Sequence, residues 1–176
     1  MVAVRAGALI GCGLFVGIML RLHIARPDVS PVARGMSRYA GPPTLVLATA
    51  AFVAPAGGVA ALAAGLDPLA RSWALLAAAG LAVVAATPIG QPASTAVTAL
   101  HAIGGLAFYV GILGAMFVSI APFGGEMLRW SVAGALAVFG AGACRVPGLR
   151  LVVGVLQRVV FALIIVWLVG QVAGAA

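Results

Sequence analysis

The stretch that decides the fold reads RLHIARPDVSPVARGMSRYAGPP and spans residues 21–43. It holds four of the ten basic residues of the chain, one of its two histidines and one of its three acids. Almost all of the sequence on either side of it is apolar. Because the prolines of this stretch forbid a continuous helix, the sequence predicts a polar loop between two apolar helices. This first loop is also the first place to look for a function.

The composition predicts an integral membrane protein. Hydrophobic residues make up 64% of the chain and charged residues only 7%, whereas a soluble domain carries roughly 25% charged residues. The alternation of apolar and polar residues that marks a membrane barrel does not occur. Helical spans need about 20 apolar residues each, so we expect an all-α bundle of six transmembrane helices. The expected location is the bacterial inner (plasma) membrane.

The apolar runs and the breaks between them predict six helices, at residues 2–22, 44–66, 69–87, 95–120, 127–144 and 149–172. They form a single six-helix transmembrane domain over residues 1–176, without a soluble module. Pro55 lies near the middle of the second helix, so we expect a kink or an opened turn there. Gly7 and Gly11, and likewise Gly13 and Gly17, give the first helix a small-residue spacing that lets another backbone approach closely. Packing within the chain is the favoured interpretation of that spacing.

The charge of the chain excludes several classes of function. All ten basic residues are arginine, and the formal charge is +7. They flank apolar runs as topology determinants do, so no nucleic-acid partner is expected. The lack of lysine excludes a retinal Schiff base and other lysine imine chemistry. Cys12 and Cys144 form no redox or haem-attachment motif. The arginine count places the first, third and fifth loops in the cytoplasm and both termini outside.

Polar residues cluster in one half of the predicted bundle. Insertion of a charged side chain into a spanning helix costs about 2.5–3.5 kcal/mol, and Arg158 lies about two turns inside the sixth helix. His101 lies equally deep in the fourth helix, toward the same face. The residues expected to converge there are Asp28, Ser37, Arg38, Tyr39, Gln91, Thr95, Thr98, His101, Gln157 and Arg158. The opposite half offers only Asp67, Arg71, Glu126 and Arg129, all at loop depth.

Each of these residues also has a purely structural interpretation. His101 could hydrogen-bond a neighbouring helix, and Arg158 could extend to the lipid headgroups. Ser37 and Asp28 could cap or turn the loop, and Tyr39 could belong to an interfacial aromatic belt. Their common side of the membrane is what favours a binding site.

Arginines outnumber acids in this cluster, so an anionic group such as a phospholipid headgroup is the expected ligand. The ligand-binding residues that we predict are Ser37, Arg38, Tyr39, His101, Gln157 and Arg158. We predict no catalytic residue, no metal ligand and no cofactor. Two alternatives are a metal held by His23, Asp28 and His101, and a haem ligated by His23 and His101. No motif supports a serine nucleophile at Ser37.

Three segments stand out as short motifs: the run from Ser30-Pro31 to Ser37-x-Tyr39, the Leu100-His101 start of the fourth helix, and Val155-Leu-Gln157-Arg158. They resemble segments of the six-helix bacterial and archaeal membrane proteins of domain-of-unknown-function family 998. The resemblance implies a six-helix fold that starts on the cytoplasmic side, opposite to the arginine count. It implies no activity, because the family has none settled. The acid that the family carries after the third helix is missing from Thr87-Pro88-Ile-Gly90.

The leading hypothesis is a non-enzymatic polytopic membrane protein that binds lipid or a membrane partner through the polar Arg/His pocket. A second is a membrane-embedded enzyme on a lipid or isoprenoid substrate, with His101 as acid or base. That enzyme requires His101 within hydrogen-bond reach of Ser37, Asp28 or a water, in a cavity open to the bilayer. A third is a structural subunit of a larger membrane complex.

Overall fold

The computed structural model of the protein describes residues 2–89, 93–119, 125–144 and 146–174. This part of the chain is helical and contains no strand. The long helices are α1 (Val2–Ala25), α2 (Leu45–Ala63), α3 (Pro68–Ala86), α4 (Thr95–Val118), α5 (Gly125–Ala143) and α6 (Val153–Gly174). Short 3₁₀ helices lie at Met36–Tyr39 and Leu149–Val152. The predicted all-α, six-helix bundle is confirmed.

Five of the six helices are long and apolar enough to cross a membrane: α1, α2, α3, α4, and α6 with the 3₁₀ turn before it. The chain is therefore a polytopic membrane protein. The remaining helix, α5, has the same length as α2, 19 residues. Glu126 and Arg129 lie in its first two turns and make it more polar than the others, so its crossing stays a prediction.

The helices begin where their sequences provide caps. The Asp67 carboxylate accepts hydrogen bonds from the backbone amides of Leu69 and Ala70, and Pro68 is the first residue of α3. Ser94 caps α4 in the same way through the amide of Val97. These side chains satisfy amides that a helix start leaves without partners.

The first four helices pack in chain order, while α5 packs mainly on α6, and α6 returns to α1. The backbones of α1 and α2 touch, because a Cβ on Gly11 would lie 2.6 Å from the Ala54 carbonyl oxygen and 2.9 Å from Gly58 Cα. The prediction that the glycines of α1 serve packing within the chain is confirmed at Gly11 but not at Gly13 and Gly17, where a Cβ would meet no atom within 4 Å. The helix α2 runs through Pro55 without a break, so the opened turn is not seen and the kink stays a prediction.

Phe161 of α6 joins three helices in the centre of the bundle. Its ring stacks on Phe15 of α1 and Phe108 of α4, with centroids 5.0 Å and 5.2 Å away. The ring of Tyr109 meets it edge-on at 6.2 Å. These rings connect α4 to α6, while α5 packs on α6 more than on α4. A cleft lies between α4 and α5.

Candidate functional site

The first loop is held against the start of α6. The backbone amides of Gly154 and Val155 donate to the carbonyl oxygen of Val32, at 2.9 Å and 3.3 Å. These amides belong to the first turn of α6, where no carbonyl within the helix can accept from them. The loop carbonyl therefore takes the place of a capping side chain.

Only a glycine permits this approach. A Cβ on Gly154 would lie 2.5 Å from the carbonyl oxygen of Pro31 and 2.8 Å from that of Val32. It would lie closer still to the carbonyl oxygen of Arg34. Real Cβ atoms essentially never come this near to a carbonyl oxygen, so any side chain at position 154 must displace the loop.

Arg158, one turn further along α6, binds the same loop. Its Nη1 donates to the carbonyl oxygens of Pro31 at 2.6 Å and Arg34 at 3.3 Å. Its Nη2 donates to the Tyr39 hydroxyl at 3.3 Å, and its Nε to His23 Nε2 at 3.2 Å. All three guanidinium nitrogens thus have protein partners. Arg158 therefore holds the first loop in place.

Gln157 makes a second connection between α6 and the loop. Its Oε1 accepts the backbone amide of Met36 at 2.7 Å, and its Nε2 lies 3.3 Å from the Tyr109 hydroxyl. A Cβ on Gly35 would lie 3.0 Å from the same Oε1. The amide of Gln157 therefore ties the loop to α6 and α4 together.

His101 makes the third connection, from α4. Its Nδ1 lies 2.7 Å from the carbonyl oxygen of Thr87, and its Nε2 lies 2.8 Å from Ser37 Oγ. A carbonyl oxygen only accepts, so Nδ1 carries the proton. In the neutral ring, Nε2 then accepts the Ser37 hydroxyl proton. This imidazole joins the loop to the end of α3.

Five of the six predicted ligand-binding residues lie in this network: Ser37, Tyr39, His101, Gln157 and Arg158. The sixth, Arg38, is exposed and donates to the carbonyl oxygen of Ile89 at 3.3 Å. Whether the group binds a ligand stays a prediction.

Three other residues expected to converge there do not. Asp28 is exposed and forms a 2.7 Å ion pair with Arg26. The Arg26 guanidinium holds the pKa of the Asp28 carboxyl below its usual range. Thr98 bonds the Ser94 carbonyl within its own helix, and Thr95 is exposed at the start of α4. Asp28 and Thr98 therefore make local contacts instead, and Gln91 lies outside the described residues.

Two members of the network were missed as binding-site candidates. His23 was considered only as a metal or haem ligand, yet it accepts from Arg158 and also bonds the Met19 carbonyl. Tyr109 follows His101 by eight residues, so both lie on one face of α4. That spacing could have identified Tyr109 from the sequence.

The cleft between α4 and α5, called the apolar cleft below, has a volume of about 700 Å³. Its walls are mostly apolar and include Leu106 and Val110 of α4 and Leu136 and Phe139 of α5. The polar side chains that line it are His101, Tyr109 and Gln157. The hydrogen-bonded network therefore forms one end of an apolar space.

A second cavity, called the arginine cavity below, has a volume of about 570 Å³. Arg34 and Arg38 of the first loop line it together with Arg150 of the turn before α6. Ala143, at the end of α5, lines this cavity and the apolar cleft alike. The two spaces thus adjoin at the loop face of the bundle.

The histidines do not form a metal cluster. Both ring nitrogens of His23 and of His101 bond to protein atoms. Within the described residues, no group of three or more His, Cys, Asp or Glu is placed to hold a metal ion. The metal and haem alternatives stay predictions, which this geometry does not favour.

The fold and the site define a polytopic helical membrane protein with a polar network and two cavities at one end of the bundle. No family model, no curated protein and no solved structure matches the chain. The likeness to domain-of-unknown-function family 998 therefore stays a resemblance of short segments, and location in the bacterial inner membrane stays a prediction.

Proposed function

We propose that this protein is a non-enzymatic, lipid-binding membrane protein whose apolar cleft takes a hydrocarbon chain of the bound lipid. The observation that carries the proposal is the cleft itself, about 700 Å³ of mostly apolar space with His101, Tyr109 and Gln157 among its walls. Ligand sites typically have volumes of about 300–1,000 Å³, apolar walls and a few polar groups that orient the ligand.

A lipid chain suits this cleft better than water does. The walls come from α4, a helix apolar enough to cross a membrane, and from α5. Cavities with apolar walls stay dry in proteins. In a bilayer, the apolar molecules available to fill such a space are lipids. Lipid chains are as apolar as leucine side chains, so moving a chain from the bilayer into the cleft does little to select one lipid over another. The polar end of the site must supply that selectivity.

A bulky residue in the cleft is expected to displace the lipid. Gly140 lines the cleft, and a Cβ added there meets no atom within 4 Å. Gly140→Phe should fold normally but retain at least fivefold less copurified lipid, as measured by native mass spectrometry. Gly134→Phe is the matched control, because Gly134 is equally open on the same helix but does not line the cleft.

Equal lipid retention by the two variants and the wild type would contradict the proposal that the lipid chain binds in the cleft. A stoichiometric protein that copurifies while no lipid is retained would favour a structural subunit of a larger complex instead.

The pairing of Ser37 with His101 favours a second candidate, an enzyme that transfers or hydrolyses a lipid acyl ester. The 2.8 Å contact and the Thr87 carbonyl give the imidazole the tautomer that a general base for a serine needs. However, Ser37 is only 8% exposed and faces a void too small for water. A nucleophile needs access to its substrate, so we prefer the binding function.

Covalent labelling separates these two candidates. A fluorophosphonate probe with an alkyl chain is expected to leave the detergent-solubilised protein unlabelled, because Ser37 is closed off from the cleft. The Ser37→Ala variant is the control for labelling at other sites. Stoichiometric modification that disappears in both Ser37→Ala and His101→Gln would establish the enzyme and contradict the binding-only proposal.

A further inference from the structure

We infer that the arginine cavity is the headgroup subsite of the lipid site and that it recognises a phosphate monoester. This inference rests on the proposed function and names the class of lipid that the apolar cleft takes. It assigns roles to Arg34 and Arg150, which the sequence did not indicate as ligand-binding residues.

Three cations face one space. Arg34 and Arg38 come from the first loop, and Arg150 comes from the 3₁₀ turn that precedes α6. All three are exposed, and within the described chain the side chains of Arg34 and Arg150 form no hydrogen bond or ion pair. Arg38 donates one hydrogen bond, to the Ile89 carbonyl oxygen. Most of their donors are therefore available.

No carboxylate competes for these donors. The chain has three acidic residues, and all of them are engaged elsewhere. Asp28 pairs with Arg26, Asp67 caps α3, and Glu126 lies beside Arg129. Like charges that share a space repel unless an anion joins them, so an anionic ligand stabilises this arrangement.

The ligand chemistry follows from charge and shape. A guanidinium presents planar paired donors that match phosphate oxygens. A phosphate monoester carries about −1.5 to −2 charges at neutral pH, more than the single charge of a phosphodiester, and so balances the positive charges better. The network around Arg158 supports the site indirectly, because it fixes the loop from which Arg34 and Arg38 extend.

The position of the cavity joins the headgroup to a chain. Ala143 lines both spaces, and Gly35 and Gly142 contribute walls without side chains to the arginine cavity. A phosphate among the arginines can therefore continue into a hydrocarbon chain between α4 and α5. A free phosphate would use only the first of the two spaces.

The test is a titration of the purified full-length protein, followed by native mass spectrometry. The probes are dioleoyl phosphatidic acid, dioleoyl phosphatidylcholine and inorganic phosphate. We expect phosphatidic acid to bind at least tenfold tighter than phosphatidylcholine. Arg34→Gln and Arg150→Gln should each weaken phosphatidic acid binding about tenfold, since hydrogen bonds to charged groups are the strong ones. Arg21→Gln should leave it unchanged, because Arg21 does not line the cavity.

The other outcomes separate this inference from the proposed function. One outcome is that both lipids bind with equal affinity, that Gly140→Phe weakens this binding, and that the arginine variants leave it unchanged. The lipid site in the cleft is then supported, and the phosphate subsite is overturned. If inorganic phosphate binds as tightly as phosphatidic acid and displaces it, the arginines hold a free anion, and the lipid headgroup assignment is overturned. If the wild type binds neither lipid, the proposed function fails, and the inference fails with it.

Discussion

Replacement of Arg158 by methionine is expected to release the first loop from α6 and to lower the free energy of unfolding by about 3 kcal/mol. The apolar side chain keeps much of the length of arginine but has no donors. The carbonyl oxygens of Pro31 and Arg34 and the hydroxyl of Tyr39 then lose a charged donor. Equilibrium unfolding in mixed detergent micelles, followed by tryptophan fluorescence, measures the loss.

Trypsin reports the loop itself, because Arg34 and Arg38 are cleavage sites within it. We expect these bonds to be cut at least tenfold faster in Arg158→Met than in the wild type. Arg21→Met is the matched control, since Arg21 is exposed in the last two turns of α1 and its side chain does not bind the first loop. Unchanged cleavage and stability in Arg158→Met would show that Arg158 does not hold the loop.

Replacement of Gly154 by alanine is expected to have an effect of similar size. The added methyl group cannot fit against the carbonyl oxygens of Pro31 and Val32, so the loop must move. The hydrogen bond from the backbone amide of residue 154 to the Val32 carbonyl oxygen is then lost. Overpacking typically costs about 1–3 kcal/mol, and the lost hydrogen bond adds about 1 kcal/mol. We expect a total of about 3 kcal/mol, measured by the same unfolding experiment.

Gly134→Ala is the control for the change from glycine to alanine in a helix, because a Cβ at Gly134 meets no atom within 4 Å. It should keep the stability of the wild type or gain slightly, as alanine is the better helix former. A Gly154→Ala variant as stable as Gly134→Ala would contradict the close approach of the loop to α6.

The helices could be predicted because their signals are local. Apolar runs of spanning length and the proline-rich breaks between them locate all six helices to within a few residues. The extra turn of α1, which reaches Ala25, was missed because Arg21 and His23 suggested an earlier end. The side chain of His23 instead turns back to its own helix and to Arg158.

The gathering of Ser37, His101 and Arg158 around the first loop was predicted from depth alone. Polar side chains inside a bundle need partners, and the loop on the same face offers them. What each donor binds could not be predicted. Arg158 uses its nitrogens on backbone carbonyls, a choice that depends on how closely Gly154 lets the loop approach. That approach is a property of the packed chain.

The two cavities could not be predicted because they depend on distances between helices. The apolar cleft lies between α4 and α5, where α5 packs more on α6 than on α4. The arginine cavity combines residues more than a hundred positions apart, such as Arg34 and Arg150. The number of arginines predicted a negatively charged ligand. It could not distinguish the arginine that binds the loop from those whose side chains have no hydrogen-bond partner in the described chain.

The most direct test of the central claim, that a lipid chain occupies the apolar cleft, is photo-crosslinking in vesicles. Phosphatidic acid with a diazirine near the middle of one acyl chain is incorporated, irradiated and mapped by tandem mass spectrometry. The account predicts adducts concentrated on the facing walls of α4 and α5, including Leu106, Val110 and Leu136, and lost in Gly140→Phe. Adducts spread over lipid-exposed positions such as Leu14 and Leu20 of α1, with none in the cleft, would contradict it.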